Sequence, residues 1–185
     1  MKRVSCHQGL NHFSIRILLC SFFLLVFCST YPIKVRVLLA DAPLKGNFKW
    51  TISSDNGLCI SHPQHKIKIR TISNDIFVTS NGPNLLINGC KLKKDSVEVK
   101  PKKGYLEYND QKYDGLFKFI VHKGYAYLVN IIDLEDYIFS VLKTEGWPGW
   151  PAEVNKVFAI TCRTYVIWQI LESKKNKRLF DVRNT

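Results

Sequence analysis

The feature that most constrains this chain is a change of period at Asn130. Before it, apolar residues alternate with polar ones, most plainly in Ile33-Lys34-Val35-Arg36-Val37. Alternation of period two turns one face of a strand to a core and the other to water. After Asn130 the apolar residues recur at intervals of three and four, the spacing of one helix face. A chain written this way is expected to be α+β, with a β-rich front followed by a helix–turn–helix pair.

Within the front, strands are expected at Ile33–Val37, Phe48–Ser53, Ile67–Ile72, Ile76–Thr79 and Leu85–Ile87, with shorter ones at Ser96–Val99 and Leu106–Tyr108. Asp55-Asn56-Gly57, Ser80-Asn81-Gly82-Pro83 and Asn88-Gly89 separate them as turns. Leu116–Val121 and Tyr125–Val129 read as a hairpin closed by His122-Lys123-Gly124, where glycine is free to take positive φ. Asp133 is placed as an N-cap, and the first helix should run from Leu134 to about Thr144. Gly146-Trp147-Pro148-Gly149 breaks it. Pro151 suits the first turn of a second helix reaching about Ser173. The apolar stripe expected on that helix is Val154, Val157, Phe158, Thr161, Tyr165 and Trp168.

Residues 1–30 are expected to lie outside this fold. Lys2, Arg3 and Arg16 precede an apolar run from Ile17 to Cys28, and no acid occurs before Asp41. A basic flank and a short apolar core spell a signal peptide, with an uncleaved anchor as the alternative. The run is shorter than the about 20 apolar residues that span a bilayer. The chain is therefore expected to be exported, to the periplasm, envelope or cell surface, and to meet a membrane only through this leader. The net charge of +12 suits an anionic partner such as nucleic acid, acidic lipid or a wall polymer. The densest basic run, Lys174, Lys175, Lys177 and Arg178, is most simply a solvated helix end. Outside the leader, Cys59, Cys90 and Cys162 match no zinc spacing, and the five histidines do not cluster, so neither metal nor cofactor is expected. Cys59 and Cys90 either pair in an oxidising compartment or remain separate buried thiols.

Glu145 stands at the junction of the two helices, followed by Trp147, Pro148, Trp150 and Pro151. A carboxyl group shielded from water by indoles and prolines would favour its protonated form, the form that donates a proton to a glycosidic oxygen. Indole faces are also surfaces against which sugar rings pack. The plain alternative is a solvent-exposed acid that ends a helix.

Several blocks surround this acid: Tyr127-Leu128-Val129-Asn130, Leu134-Glu135-Asp136-Tyr137, Trp150-Pro151-Ala152-Glu153 and Arg163-Thr164-Tyr165. With Tyr113-Asp114-Gly115 upstream, they resemble the sporulation stage II protein D family, which includes the amidase enhancer LytB. The resemblance divides the folded part into a β-rich region over 32–112 and a core segment over 113–185. It implies a lytic transglycosylase that cleaves the bond between N-acetylmuramic acid and N-acetylglucosamine, with Glu145 as the catalytic acid. Lys156, Arg163, Trp147 and Trp150 would then contact substrate. The implied partners are peptidoglycan glycan strands and, for a non-catalytic enhancer, a cell-wall amidase; nucleic acid is not among them. Arg163 has an equal alternative as a clamp on Glu135 or Glu153. Glu135 and Asp136 stand nine or ten residues before Glu145, roughly 14 Å along a helix, too far for the paired carboxylates of a retaining hydrolase. The sequence departs from the family pattern at Gly146-Trp147, where Met-Pro is usual, and at Phe158, where glutamine is common. The family pattern also continues beyond Thr185, so the core segment is expected to be incomplete and a shortened, inactive form is a further alternative.

Overall fold

The computed structural model describes residues 32–62, 65–70, 74–91 and 96–184. The expected leader lies outside them. The described elements belong to a single compact unit, Ile33–Thr185, and the α+β expectation holds. Two sheets make the front. One has seven strands, in the order β13 (Val182–Arg183), β1 (Lys34–Pro43), β12 (Tyr125–Asp133), β11 (Leu116–His122), β8 (Ser96–Pro101), β3 (Leu58–His62) and β4 (His65–Arg70). The other has six, in the order β10 (Gln111–Tyr113), β9 (Leu106–Tyr108), β2 (Lys49–Ser53), β5 (Asp75–Asn81), β6 (Asn84–Ile87) and β7 (Cys90–Lys91). Helices α1 (Leu134–Glu145) and α2 (Ala152–Lys175) follow.

Most expected strands form, and β12 runs four residues past Val129, to Asp133. The β11–β12 turn is tighter than glycine alone would give, because Lys123 (φ 49°) and Gly124 (φ 78°) both take positive φ. This is the sense of turn that matches the twist of the flanking strands. Leu58–His62, Gln111–Tyr113, Cys90–Lys91 and Val182–Arg183 are strands that the pattern does not announce. Gln111–Tyr113, Cys90–Lys91 and Val182–Arg183 are short and defined by their partners, whereas Leu58–His62 lies inside its sheet between β8 and β4 and turns Leu58 and Ile60 to the core.

One face of the seven-stranded sheet meets two different covers. On β12, Ala126 and Leu128 join a core shared with Trp50, Ile52, Ile76, Val78 and Leu106 of the six-stranded sheet. Ile132, on the same side of the same strand, instead joins Val35, Val37, Leu134, Ile138, Val166 and Ile170 under the helices. The bulge at Leu39, where pairing steps from Leu38↔Val129 to Ala40↔Leu128, keeps the inward side chains of β1 in phase with β12 across this change. Leu39 touches both cores. Asn130 lies at the seam between them.

Two expectations are corrected here, and one open alternative is decided. Asp133 occupies the N-cap position of α1 but does not cap it; its carboxylate meets Lys34 Nζ at 2.8 Å. Of the two alternatives for Cys59 and Cys90, separate thiols is the one found: they lie in different sheets, Cys59 half-buried and Cys90 exposed. The second correction concerns α2. Val154, Val157, Tyr165 and Trp168 of the expected stripe are exposed, while Val166, Ile170 and Ser173 are buried. This helix is apolar on nearly every side, so its periodicity selects no face. A polar anchor does: Arg36 of β1 donates from Nη2 to Ser173 Oγ (2.9 Å) and to Asp181 Oδ1 (2.7 Å), and its backbone N–H donates to Asp181 Oδ2 (2.8 Å). Ser173 Oγ also donates to Asp181. Because Asp181 is buried, these partners are what make its charge tolerable there, and they turn the 166/170/173 side of α2 inward.

Candidate active site

A cleft of about 490 Å³ opens where the two covers part. Its floor is the seven-stranded sheet, at Val37, Leu39, Asn130 and Ile132. Helix α1 forms one wall through Tyr137, Ser140, Val141, Thr144 and Glu145. Gln111, Lys112, Tyr113 and Asp114, at the β10 edge of the six-stranded sheet, form the other, and Arg183 and Asn184 complete the lining. The walls are brought together by identifiable residues. Gly115 (φ 88°) lies so close to β12 that a Cβ would fall 2.2 Å from the Ile131 carbonyl oxygen, and this approach sets Tyr113 and Asp114 over the cleft. Gly146 donates its N–H to the Leu142 carbonyl (3.0 Å) and closes α1 directly after Glu145. A Cβ there would come within 2.4 Å of that carbonyl oxygen.

Of the five residues proposed from sequence, only Glu145 lines this cleft. It is exposed. The expected shielding by indoles is not found, for Trp147 is 70% exposed and Trp150 packs edge-on against Phe158 with ring centres 5.7 Å apart. Lys156 Nζ pairs with Glu153 at 2.8 Å on the helix surface. Arg163 is the clamp of the two alternatives: its Nε donates to Glu135 Oε1 (2.9 Å) and its Nη2 to Oε2 (2.6 Å), joining α2 to the start of α1. That hydrogen bond and the positive charge hold the Glu135 carboxyl below its ordinary range.

The charge of Glu145 is felt by a neighbour that sequence reading passed over. Burial pushes the Cys162 thiol up, and the carboxylate of Glu145 adds to the shift. Burial likewise raises the Tyr137 hydroxyl, with smaller contributions from Cys162 and Tyr165. Glu145, Cys162 and Tyr137 thus form one electrostatic neighbourhood at the α1–α2 junction.

The cations of the cleft are already engaged. Lys112 hydrogen-bonds the Tyr105 hydroxyl, which raises its pKa. Arg183 pairs with Asp41 at 3.6 Å and lies over the Phe180 ring. Asp114 brings a second carboxylate to the lining. Asn130 is 4% exposed, and its Oδ1 has no hydrogen-bond partner among the described residues. Neither residue was singled out from sequence. Asn130 does end one of the family-like blocks, but its isolation at the seam is a product of tertiary packing.

Comparison with known proteins adds three findings. Residues 122–185 match the family model described as "SpoIID: Stage II sporulation protein". The chain is 31% identical over 154 residues to an uncharacterized protein of Brachyspira hyodysenteriae, covering 82% of this chain and 40% of that relative. The chain therefore spans well under half the length of the curated relative it matches. No solved structure matches it.

Proposed function

We propose that this chain, whose residues 122–185 match the SpoIID family model, acts on the glycan strands of peptidoglycan as a lytic transglycosylase with Glu145 as its acid and base. The family domain points to a sporulation-related cell-wall function; the reaction and the residue are the finer reading. Its main support is the position of Glu145, at the free end of α1 on the wall of a cleft formed between helix and sheet edge. The carboxyl group protonates the glycosidic oxygen as the bond to C1 of the muramoyl residue breaks. The resulting carboxylate then takes the proton from that residue's 6-hydroxyl, and O6 closes on C1. A 1,6-anhydro ring forms, the acid is regenerated and no water is consumed. Glu135 cannot serve as a second acid at this site, being at the other end of α1 and bound to Arg163.

Asp114 favours a second reading. A carboxylate on the opposite wall could direct water to C1, giving hydrolysis. Incubation with peptide-free glycan strands separates the two through the new ends: 1,6-anhydro-muramoyl for transglycosylation, reducing sugar for hydrolysis. No cleavage by the folded protein, with enhancement of a cell-wall amidase, would instead indicate the LytB-like binding role.

A further inference from the structure

Helix α2 packs one side on the sheet, through Val166, Ile170 and Ser173, and leaves the opposite side bare among the described residues. On that side Val154, Val157, Trp168 and Leu171 are 42–64% exposed. With Thr161 and Thr164, also exposed, they recur at alternating intervals of three and four residues. That is the a and d spacing of a heptad, about 3.5 residues on average, the pattern by which one helix receives another. Both threonine hydroxyls are spent within the helix, Thr161 Oγ1 donating to the Val157 carbonyl at 3.0 Å and Thr164 Oγ1 to the Ile160 carbonyl at 2.8 Å. The stripe therefore asks for apolar contact. Contiguous exposed apolar surface of this kind marks an interaction site, which singly scattered apolar residues do not.

The stripe is complementary to itself in one orientation. With two copies of α2 laid antiparallel across a two-fold axis, Val154 meets Leu171 of the other copy, Val157 meets Trp168, and Thr161 meets Thr164. The smaller side chains then lie at the axis, and the indole faces a valine. The flanking charges select the same orientation. Glu153 and Lys174 border one edge of the stripe, at opposite ends of the helix. In an antiparallel pair like edges adjoin, so each Glu153 faces Lys174 of the other copy. In a parallel pair the edge that carries Glu153 would adjoin the edge that carries Phe158, and neither charge would find its opposite. Antiparallel helices also place each dipole end beside one of opposite sign.

We propose that the outer side of α2 is the interface of an antiparallel homodimer of this chain. The inference is independent of the glycan reading. A stripe this short makes an interface at the small end of the range, so dissociation constants on the order of 10–100 μM are expected. At about 1 μM chain the protein is then monomeric, and denaturation there reads the single copy.

The test is sedimentation equilibrium of the full chain from about 1 to 500 μM, spanning the expected constant. The parent should pass from monomer to dimer, and Val157→Lys should remain monomeric throughout. Glu153→Lys and Lys174→Glu should each weaken the dimer about tenfold, because each turns two attractive contacts into repulsive ones. The double variant Glu153→Lys/Lys174→Glu should return to within about twofold of the parent, and an equal mixture of the two single variants should associate as well as the parent does. The two positions are about 30 Å apart along one helix, so this rescue arises only between copies. A parent that stays monomeric overturns the inference; if Val157→Lys also lowers its retention on anionic lipid vesicles, the stripe serves a lipid surface instead. Dimerisation that Val157→Lys leaves unchanged, or that the charge exchange fails to restore, overturns it equally.

Discussion

Arg163 holds Glu135 by two parallel hydrogen bonds, 2.9 and 2.6 Å long, from the middle of α2 to the first turn of α1. A planar guanidinium facing a carboxylate makes the best-defined ion pair available to side chains. It joins the helix that ends in Glu145 to the helix that follows it. Arg163→Lys should therefore loosen the junction, because an ammonium cannot reproduce the fork. The pair is exposed, so its effect on global stability is small. Its pH dependence has a definite sign. The Glu135 carboxyl is lowered from 4.5 in the folded protein, so its contribution is present above that value and fades as pH falls through the lowered one. NMR titration should find Glu135 below its ordinary range, and Arg163→Gln should return it there.

The inward face of α2 makes a sharper prediction, because sequence and structure disagree about it. Val166→Ala or Ile170→Ala should cost about 2–4 kcal/mol, as for large-to-small changes in a packed core. Val157→Lys and Trp168→Gln, on the exposed side, should change stability by no more than about 0.5 kcal/mol. Urea denaturation of the four variants decides which face is buried.

Asp181 anchors the same helix to β1. Its carboxylate is buried and accepts from the Arg36 side chain, the Arg36 backbone and Ser173. Asp181→Ala leaves Arg36 without its partner and should cost about 3–5 kcal/mol. The Arg36→Met/Asp181→Leu double variant should recover much of that loss.

Cys162 reports on the placement of Glu145. Its thiol is raised by burial and, secondarily, by the Glu145 charge. In a background with Cys6, Cys20, Cys28, Cys59 and Cys90 all changed to serine, alkylation of Cys162 should be slow at neutral pH. Glu145→Gln should shift the pH profile of alkylation to lower pH. An unmoved profile would mean that the carboxylate lies farther from α2 than described.

The legible part of this molecule is the part in which a local pattern and a tertiary role coincide. Alternation along β1 and β12 persists because each strand has a core on one side. The switch of period marks the start of α1 because Leu134 and Ile138 share one covered face. The face of α2 was hidden for a physical reason: with apolar residues all round, its orientation is decided by Arg36 and Asp181, residues far away in sequence. Glu145 was found through its place at a helix junction and the blocks around it. The shielding expected from Trp147 and Trp150 failed because adjacency in sequence does not determine where an indole packs. Asp114 and Asn130 stand in the family-like blocks, but their meeting in one cleft came to light only when two sheets and a helix were assembled around them.

The most direct test of the account gives purified protein peptide-free glycan strands and analyses the products by mass spectrometry, beside Glu145→Gln and Asp114→Asn. Single-acid transglycosylation by Glu145 gives 1,6-anhydro-muramoyl ends from the parent and from Asp114→Asn, and a loss of at least about a hundredfold in Glu145→Gln, the scale of a lost general acid. Reducing ends that disappear in Asp114→Asn, or cleavage undiminished in Glu145→Gln, would contradict it.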